Sequence, residues 1–373
     1  MVPERPLVIV GLSGGVDSSV AALRLLEAGY HVEGLFMFNW EDPQSDCDAA
    51  RDYQDARSVC EELDIPLHRV SFAAEYRAQV FQYFLDEYAA GRTPNPDILC
   101  NREIKFRHFL HHARRLGADW IATGHYARVM HTATGARLLT AADRDKDQTY
   151  FLHAIDPEAL ACTLFPLGEL TKPEVRRIAE DAGFRTARKK DSTGICFIGE
   201  RDFNAFLTRY LPTQPGIMVD PDGRELGTHQ GLMFYTLGQR KGLGLGGSRT
   251  GTDSPWYVLD KDLACNRLIV GQNRDHPRLL STTLWTERPH WLVPDPTPER
   301  LNLQAKVRYR QKAQGCRIRP ENGGLRVDFD HPQWAVTPGQ SVVFYAQEQC
   351  LGGAVIRDRR SLDHAVPLME SDA

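Results

Sequence analysis

Several features are missing from this chain, and each absence excludes something. None of its eight cysteines (47, 60, 100, 162, 196, 265, 316 and 350) stands in a C-x-x-C pair or has a histidine at zinc-ligand spacing, which argues against a zinc ribbon or a dithiol redox motif. Outside such motifs, cysteines of a reducing compartment default to buried thiols, and a disulfide there is transient and catalytic. No apolar run approaches membrane-span length, so no membrane partner is expected. The opening M-V-P-E-R-P runs straight into an apolar strand pattern, leaving no room for a signal or transit peptide; the expected location is the cytoplasm. Basic charge is not in excess either: the net charge is −4, so any nucleic-acid contact needs a local patch rather than a global field. Internal repeats and low-complexity tracts are also missing. What remains is an ordinary globular composition, 25% charged and 42% hydrophobic over 373 residues, long enough for two or three domains.

The stretch Leu7–Leu26, L-V-I-V-G-L-S-G-G-V-D-S-S-V-A-A-L-R-L-L, combines a buried strand, a glycine-rich turn and a helix with Val16, Val20 and Leu23 on one face. Strand, small-residue loop and helix N-terminus together form an anion site, because glycines admit close backbone approach and the first helical amides point at the ligand. A Walker A loop needs a lysine that this turn lacks. In its place stands S-G-G-x-D-S, which resembles the PP-loop of the N-type ATP pyrophosphatases. A tight strand-to-helix turn of any α/β protein is the plainer alternative, and Ser13, Asp17, Ser18 and Ser19 around the glycines favour the nucleotide.

Further along, strands are expected at Val32–Phe38, Leu67–Phe72 and Trp120–Thr123, with helices at Asp48–Leu63, Glu75–Ala90 and Cys100–Leu116. This alternation predicts an α/β fold with a doubly wound, mostly parallel sheet and ligands at the carboxyl ends of its strands. Gly11–Ser18, Met37-Phe38-Asn39 and Gly124-His125-Tyr126 should then gather along one rim. Helical segments follow around Asp147–Ala154 and Pro173–Ala182. A small α+β linker domain over 201–275 and an all-β barrel over 276–373 complete the expected organisation, after a catalytic domain over 1–200.

Two cysteines have unusual surroundings. Cys100, in T-P-N-P-D-I-L-C-N-R-E-I-K-F, is placed by its pattern at the mouth of a helix with Arg102 and Lys105 nearby, a setting that favours a thiolate. Asp97 is either a general acid/base or a helix cap. Cys196, in K-K-D-S-T-G-I-C-F-I-G, sits on a basic loop suited to a sulfur loaded by one partner and presented to another; on local pattern alone a short buried strand at Ile195–Ile198 is the stronger reading, and only the whole motif reverses it. Residues 301–320 hold six Lys/Arg and no Asp/Glu. Alternation over Leu303–Arg310 would place Lys306, Arg308, Arg310 and Lys312 on one face, for phosphate tracking or as a solvated edge. Lys146-Asp147-Gln148, with mixed charge, has the pattern of a solvated turn.

Taken together, S-G-G-V-D-S-S, N-P-D-I-L-C-N-R-E-I-K-F, A-T-G-H-Y, D-S-T-G-I-C-F-I-G and Y-T-L-G-Q-R-K-G-L-G resemble the bacterial tRNA-specific 2-thiouridylases, the MnmA family. These motifs span most of the chain, in order. The resemblance implies ATP-dependent thiolation of C2 of the wobble uridine of tRNA through an adenylated base and a cysteine persulfide. It implies that Gly11, Leu12, Ser13, Gly14, Gly15, Val16, Asp17 and Ser18 hold ATP, with Met37 beside the adenine and Gly124 contributing its backbone. Mg²⁺ is expected with ATP, Asp17 being a candidate ligand. Cys196 would carry the persulfide and Cys100 would free the sulfur, leaving a disulfide between them. Asn95, Pro96 and Asp97 would meet the target base, and His125, Lys146, Asp147, Gln148, Arg308, Tyr309 and Gln340 would contact tRNA. A sulfur-relay protein or cysteine desulfurase would load Cys196.

Overall fold

The computed structural model describes residues 5–40, 46–191, 203–246, 254–294 and 303–364. Cys196, with the rest of residues 192–202, lies outside them. Five parallel strands, β1 (Leu7–Gly11), β2 (His31–Phe38), β3 (Leu67–Ser71), β4 (Trp120–Ala122) and β7 (Thr163–Leu164), form a sheet in the order β3-β2-β1-β4-β7. The chain runs outward from β1 to β3 and then crosses back to β4, so the strand order reverses between β1 and β4, where ligands of open α/β sheets bind.

Alternation in β1 sorts the layers. Val8 and Val10 pack with Ala22, Leu25, Ala56 and Cys60 of helices α1 (Val16–Glu27) and α2 (Asp46–Leu63). Ile9 faces the opposite layer with Phe84, Ile104 and Phe109, from the long helices 73–89 and 96–115. Both of these helices contain a wide π-type turn, Arg77–Phe81 in the first and Cys100–His108 in the second. The layer against Ile9 is shared: the same cluster takes in Phe206, Leu237 and Val258 of the middle region and Val343 and Tyr345 of the last. The three regions therefore pack through one continuous apolar core.

The middle region is a four-stranded sheet, with β8 (Gly216–Val219), β9 (Glu225–His229), β10 (Trp256–Asp262) and β11 (Arg267–Gln272) in the order β10-β11-β8-β9. The last region closes on itself. Strand β12 (Leu280–Thr286) pairs with both β16 (Gly324–Trp334) and β18 (Gln349–Ser361), and β14 (Leu303–Lys306), β15 (Gln314–Glu321) and β17 (Ser341–Ala346) complete a barrel filled by Val327, Val342, Phe344 and Ile356. Closure removes the edges that an open sheet of this length would expose. The short strand β13 (His290–Trp291) also pairs with β18. A hairpin inserted after β4, β5 (Arg128–Thr132) and β6 (Gly135–Leu139), pairs with β18 through Leu138 and Leu139. That hairpin, absent from the expected pattern, joins the first region to the barrel through backbone hydrogen bonds. Among the described residues no helix is long and apolar enough to cross a membrane.

The expected basic strand is shorter than its alternation suggests. β14 ends at Lys306, and residues 307–311 form bends and a turn. Arg308 is turned inward, donating to the carbonyls of Leu237 and Ala335 at 3.0 Å and stacking on Trp334. Lys306 meets Asp147 at 3.2 Å. Arg310 and Lys312 are exposed. A single face of four cations is therefore not formed, because the chain turns where straight alternation would have carried on.

Candidate active site

Gly11 ends β1, and a Cβ there would stand 3.3 Å from Met37 of β2 and 3.3 Å from Phe109. The loop that follows needs its glycines. Gly14 has φ +70°, and a Cβ would meet the Asp52 carbonyl oxygen at 2.2 Å, so substitution is both strained and blocked. Serines tie the loop internally: Ser18 Oγ accepts from the Ser13 amide at 3.2 Å and donates to the Gly15 carbonyl at 3.1 Å, while Ser19 Oγ donates to the same carbonyl at 2.9 Å. Gly15 leaves α1 without a side-chain cap. The opening amides of the helix thus face the crevice, with the helix dipole behind them.

Cations from distant segments surround this loop; of these Lys146 was expected at the tRNA surface, whereas Lys172 and Arg176 carried no expectation. Lys172 Nζ lies 2.7 and 2.9 Å from the two carboxylate oxygens of Asp17 and 2.8 Å from Asp191. Asp191 also accepts from Lys146 at 2.7 Å and Arg176 at 2.9 Å. Partial burial alone would raise the Asp191 pKa, but hydrogen bonds from Lys146 and Lys172 outweigh it and bring the carboxyl down to about 2. Lys189 Nζ donates to the Gly14 carbonyl at 2.9 Å and pairs with Asp52 and Asp55. The lysine missing from the loop is thus supplied from distant segments. The available signal was the capping pattern Thr171-x-x-Glu174, which fixes a helix start and places Lys172 at its first position.

Across the switch point, Gly124 follows β4. A Cβ there would stand 2.7 Å from the Ser18 amide nitrogen and 2.8 Å from the Asp17 carbonyl carbon, so only glycine lets β4 lie against the start of α1. The next residue, His125, shares a 2.8 Å hydrogen bond with Thr123 and stands among Phe106 and Phe165. Burial, and then the Lys105 ammonium, hold its pKa well below the ordinary histidine value, so the imidazole is neutral. Lys105 also acts on Asp97, whose pKa burial raises and Lys105 partly lowers. One ammonium, Lys105, therefore acts electrostatically both on His125, next to Gly124, and on Asp97.

Two expectations about the Cys100 segment change. The helix begins at Pro96, not Cys100, and Asn95 caps it, its Oδ1 accepting from the Asp97 amide at 3.2 Å. The capping alternative for Asp97 is thus filled by Asn95. Cys100 is buried and lies a full turn inside the helix, its amide already bonded to the carbonyls of Pro96 and Asp97. Arg102 pairs with Glu103 at 2.7 Å. The dipole and Arg102 therefore act on Cys100 less directly than its spacing suggested.

The remaining sites are largely tied into the protein. Asp147 is buried and accepts from the Ala141 amide at 3.1 Å, Thr149 Oγ1 at 2.9 Å and Lys306 at 3.2 Å. Gln148 Oε1 accepts from the Tyr126 amide at 2.8 Å. Tyr309 packs on Phe151, ring centroids 4.5 Å apart, and its hydroxyl lies 3.4 Å from the Lys146 carbonyl. Gln340 Nε2 donates to the Thr93 carbonyl at 2.8 Å. Among the described residues no three His, Cys, Asp or Glu side chains form a metal cluster. Asp17 is engaged by Lys172 and by the Tyr126 hydroxyl at 2.8 Å.

Comparison with known proteins agrees with the three-region fold. Residues 6–200 match the family model described as the tRNA methyl transferase HUP domain, residues 204–272 its PRC-barrel domain, and residues 281–356 the aminomethyltransferase beta-barrel domain. The chain is 59% identical over 361 residues to a protein of Sodalis glossinidius named tRNA-specific 2-thiouridylase MnmA, covering 96% of this chain and 98% of that one. Proteins with the same name from Acinetobacter baumannii and Stutzerimonas stutzeri are each 58% identical, covering 94% and 95% of this chain and 96% and 95% of theirs. The chain belongs to the tRNA-specific 2-thiouridylase (MnmA) family, a family of tRNA sulfurtransferases.

Proposed function

We propose that this protein is a tRNA-uridine 2-sulfurtransferase that uses ATP and a cysteine persulfide to convert the wobble uridine of tRNA to 2-thiouridine, releasing AMP and pyrophosphate. One observation supports it above the others: Gly124 lies against the start of α1 at the anion-binding loop, and the Lys105 ammonium acts both on the adjacent His125 and on Asp97 of the Asn95–Cys100 segment. An anion loop and an acidic segment coupled in this way suit a reaction that needs phosphates and a base side by side.

The chemistry assigns roles to these residues. The C2 carbonyl of uracil is a poor electrophile with a poor leaving group; transfer of AMP to its oxygen replaces that leaving group with a good one. The loop Gly11–Ser18 would hold the phosphates through its backbone, with Lys172, Lys146 and Arg176 neutralising charge that builds on the departing pyrophosphate. Met37 would pack against the adenine beside Gly11. Mg²⁺ accompanying ATP would neutralise phosphate charge, and Asp17 of the loop would be the carboxylate to hold it. Asp97, its pKa raised, accepts the N3 proton as O2 attacks phosphorus. The terminal sulfur of the Cys196 persulfide then attacks C2 and AMP leaves. Cys100, as thiolate, attacks the Cys196 sulfur; the S–S bond breaks, the thiocarbonyl forms, and a Cys100–Cys196 disulfide remains for an external dithiol to reduce. Neutral His125, Asn95 and Pro96 would line the pocket for the splayed base. Lys146, Asp147, Gln148, Arg308, Tyr309 and Gln340 would form or support the surface facing tRNA. A persulfide-donating partner loads Cys196, and the reaction takes place in the cytoplasm.

The test has two parts: ATP- and tRNA-dependent release of AMP and pyrophosphate by the purified protein, and mass spectrometry of tRNA from cells lacking it. Release of both products and loss of 2-thiouridine derivatives are expected. Unchanged tRNA in those cells sinks the proposal.

A further inference from the structure

The short connector between the two long helices, residues 90–95, is gripped from two sides. From the barrel, the Pro338 carbonyl accepts from the Thr93 amide at 3.0 Å, and Gln340 Nε2 donates to the Thr93 and Pro94 carbonyls at 2.8 and 3.3 Å. Gly339, at φ +91°, comes so close that a Cβ would stand 2.9 Å from the Thr93 backbone. From the middle region, Lys261 Nζ donates to the Gly91 carbonyl at 2.9 Å, and Thr236 Oγ1 lies 3.3 Å from Thr93 Oγ1. Thr236 belongs to Y-T-L-G-Q-R-K-G-L-G, a motif to which the chemistry above assigns no task.

The connector's own bonds fix its start, where the Gly91 and Arg92 amides donate to the Tyr88 and Glu87 carbonyls at 3.0 and 2.9 Å; beyond Arg92 its course is set locally by Pro94, whose φ is fixed. Immediately after it come the cap Asn95 and the acid/base Asp97, and a shift of about 1 Å at a reacting group can cost on the order of a hundredfold in rate. Burial pulls the Lys261 pKa down to about 8, against the pull of Asp260. Keeping a lysine at so unfavourable a place is understandable if the Gly91 carbonyl must be held there.

We propose that Lys261, Thr236 and Gln340 are positioning residues: from two different regions they fix the 90–95 connector and thereby set Asn95 and Asp97 against the target base. The inference rests on the function proposed above. Gln340 then acts mainly through Thr93 and Pro94, whatever contact it also makes with tRNA.

The experiment compares Lys261→Met, Lys261→Arg, Thr236→Val and Gln340→Ala in the full-length protein with ATP and tRNA, each checked for folding by its thermal melt. Single-turnover pyrophosphate release should fall about 10- to 100-fold in Lys261→Met and Gln340→Ala, and in Lys261→Met the Kd for tRNA should stay within twofold of wild type. Lys261→Arg should recover most of the rate. Amide hydrogen exchange in residues 91–99 should rise in Lys261→Met while that of β1 stays unchanged. Wild-type release rates in these variants overturn the inference, as does a loss that appears wholly in tRNA affinity. If the wild-type protein itself releases no pyrophosphate with tRNA, the function falls and this role falls with it; active wild type with equally active variants removes only the positioning role.

Discussion

Lys172 Nζ lies 2.7 and 2.9 Å from the two oxygens of Asp17 and 2.8 Å from Asp191. One ammonium thus bridges the glycine loop and the residue that opens the D-S-T-G-I-C segment. It also shows how a loop without a Walker lysine gains its positive charge: the cation arrives with the helix Lys172–Asp181. Lys172→Met should therefore raise the KM for ATP and lower pyrophosphate release by about 10²-fold or more, as expected for loss of a charge aimed at a departing phosphate. ATP titrations with and without tRNA check this.

Asp191 carries the acid-sensitive side of that cluster. Its pKa lies at about 2 when folded, against roughly 3.9 for an unperturbed aspartate. A depressed folded pKa contributes stability above the unfolded value, and that stability is lost as the pH falls from about 4 towards 2. Asp191→Asn should lower the Tm near pH 6 and flatten its decline between pH 4 and 2. Isothermal titration with pyrophosphate should show tighter binding to the variant, since Lys146 and Lys172 no longer share their charge with a carboxylate.

For Asp97 the sign is opposite. Burial raises its folded pKa, so the native state favours the protonated form, and the corresponding stability is lost as the pH rises through that raised value. At pH 7 the ionised carboxylate is a burden on the fold. Asp97→Asn should raise the Tm at neutral pH while cutting adenylation about 10²-fold or more, and it should abolish the acidic limb of the pH–rate profile. A variant both less stable and less active contradicts this assignment.

The two cysteines should separate cleanly in function. Cys196→Ser and Cys100→Ser are both expected to lose thiolation by more than about 10³-fold, because each removes a covalent step. ATP–pyrophosphate exchange in the presence of tRNA should survive in Cys196→Ser. Thiolation that persists in Cys196→Ser removes the persulfide role.

On the barrel, Arg308 and Arg310 should behave differently despite standing two residues apart. Arg308 is held inside by two carbonyls and Trp334, so Arg308→Ala should cost about 2–4 kcal/mol of stability. Arg310→Glu and Lys312→Glu should leave the Tm nearly unchanged. Each should reduce the slope of log K against log salt for tRNA by about one.

The sequence alone determined the features that arise from local order. β1 and the turn after it follow from an apolar run meeting S-G-G, and Gly14 at φ +70° is required by the turn itself. The alternation of strands and helices was enough to imply a parallel sheet and a rim of loops, and the motif spacing was enough to name a family. The closed barrel and the middle region were also anticipated from short strands broken by glycine and proline. What tertiary structure decided was every relation between distant segments. Lys172, Lys146 and Asp191 form one cluster although 45 residues separate the outer two, because a turn, a helix start and a loop from distant parts of the chain meet beside the glycine loop. Which residue caps the helix could not be read from Asn95-Pro96-Asp97; the structure gives the capping bond to Asn95. Arg308 looked like a surface cation by alternation, yet the chain leaves the strand after Lys306 and turns it inward. Local patterns encode which conformation each residue prefers; which charges meet, and which connector is gripped by a distant glutamine and lysine, is fixed only when three regions share one apolar core.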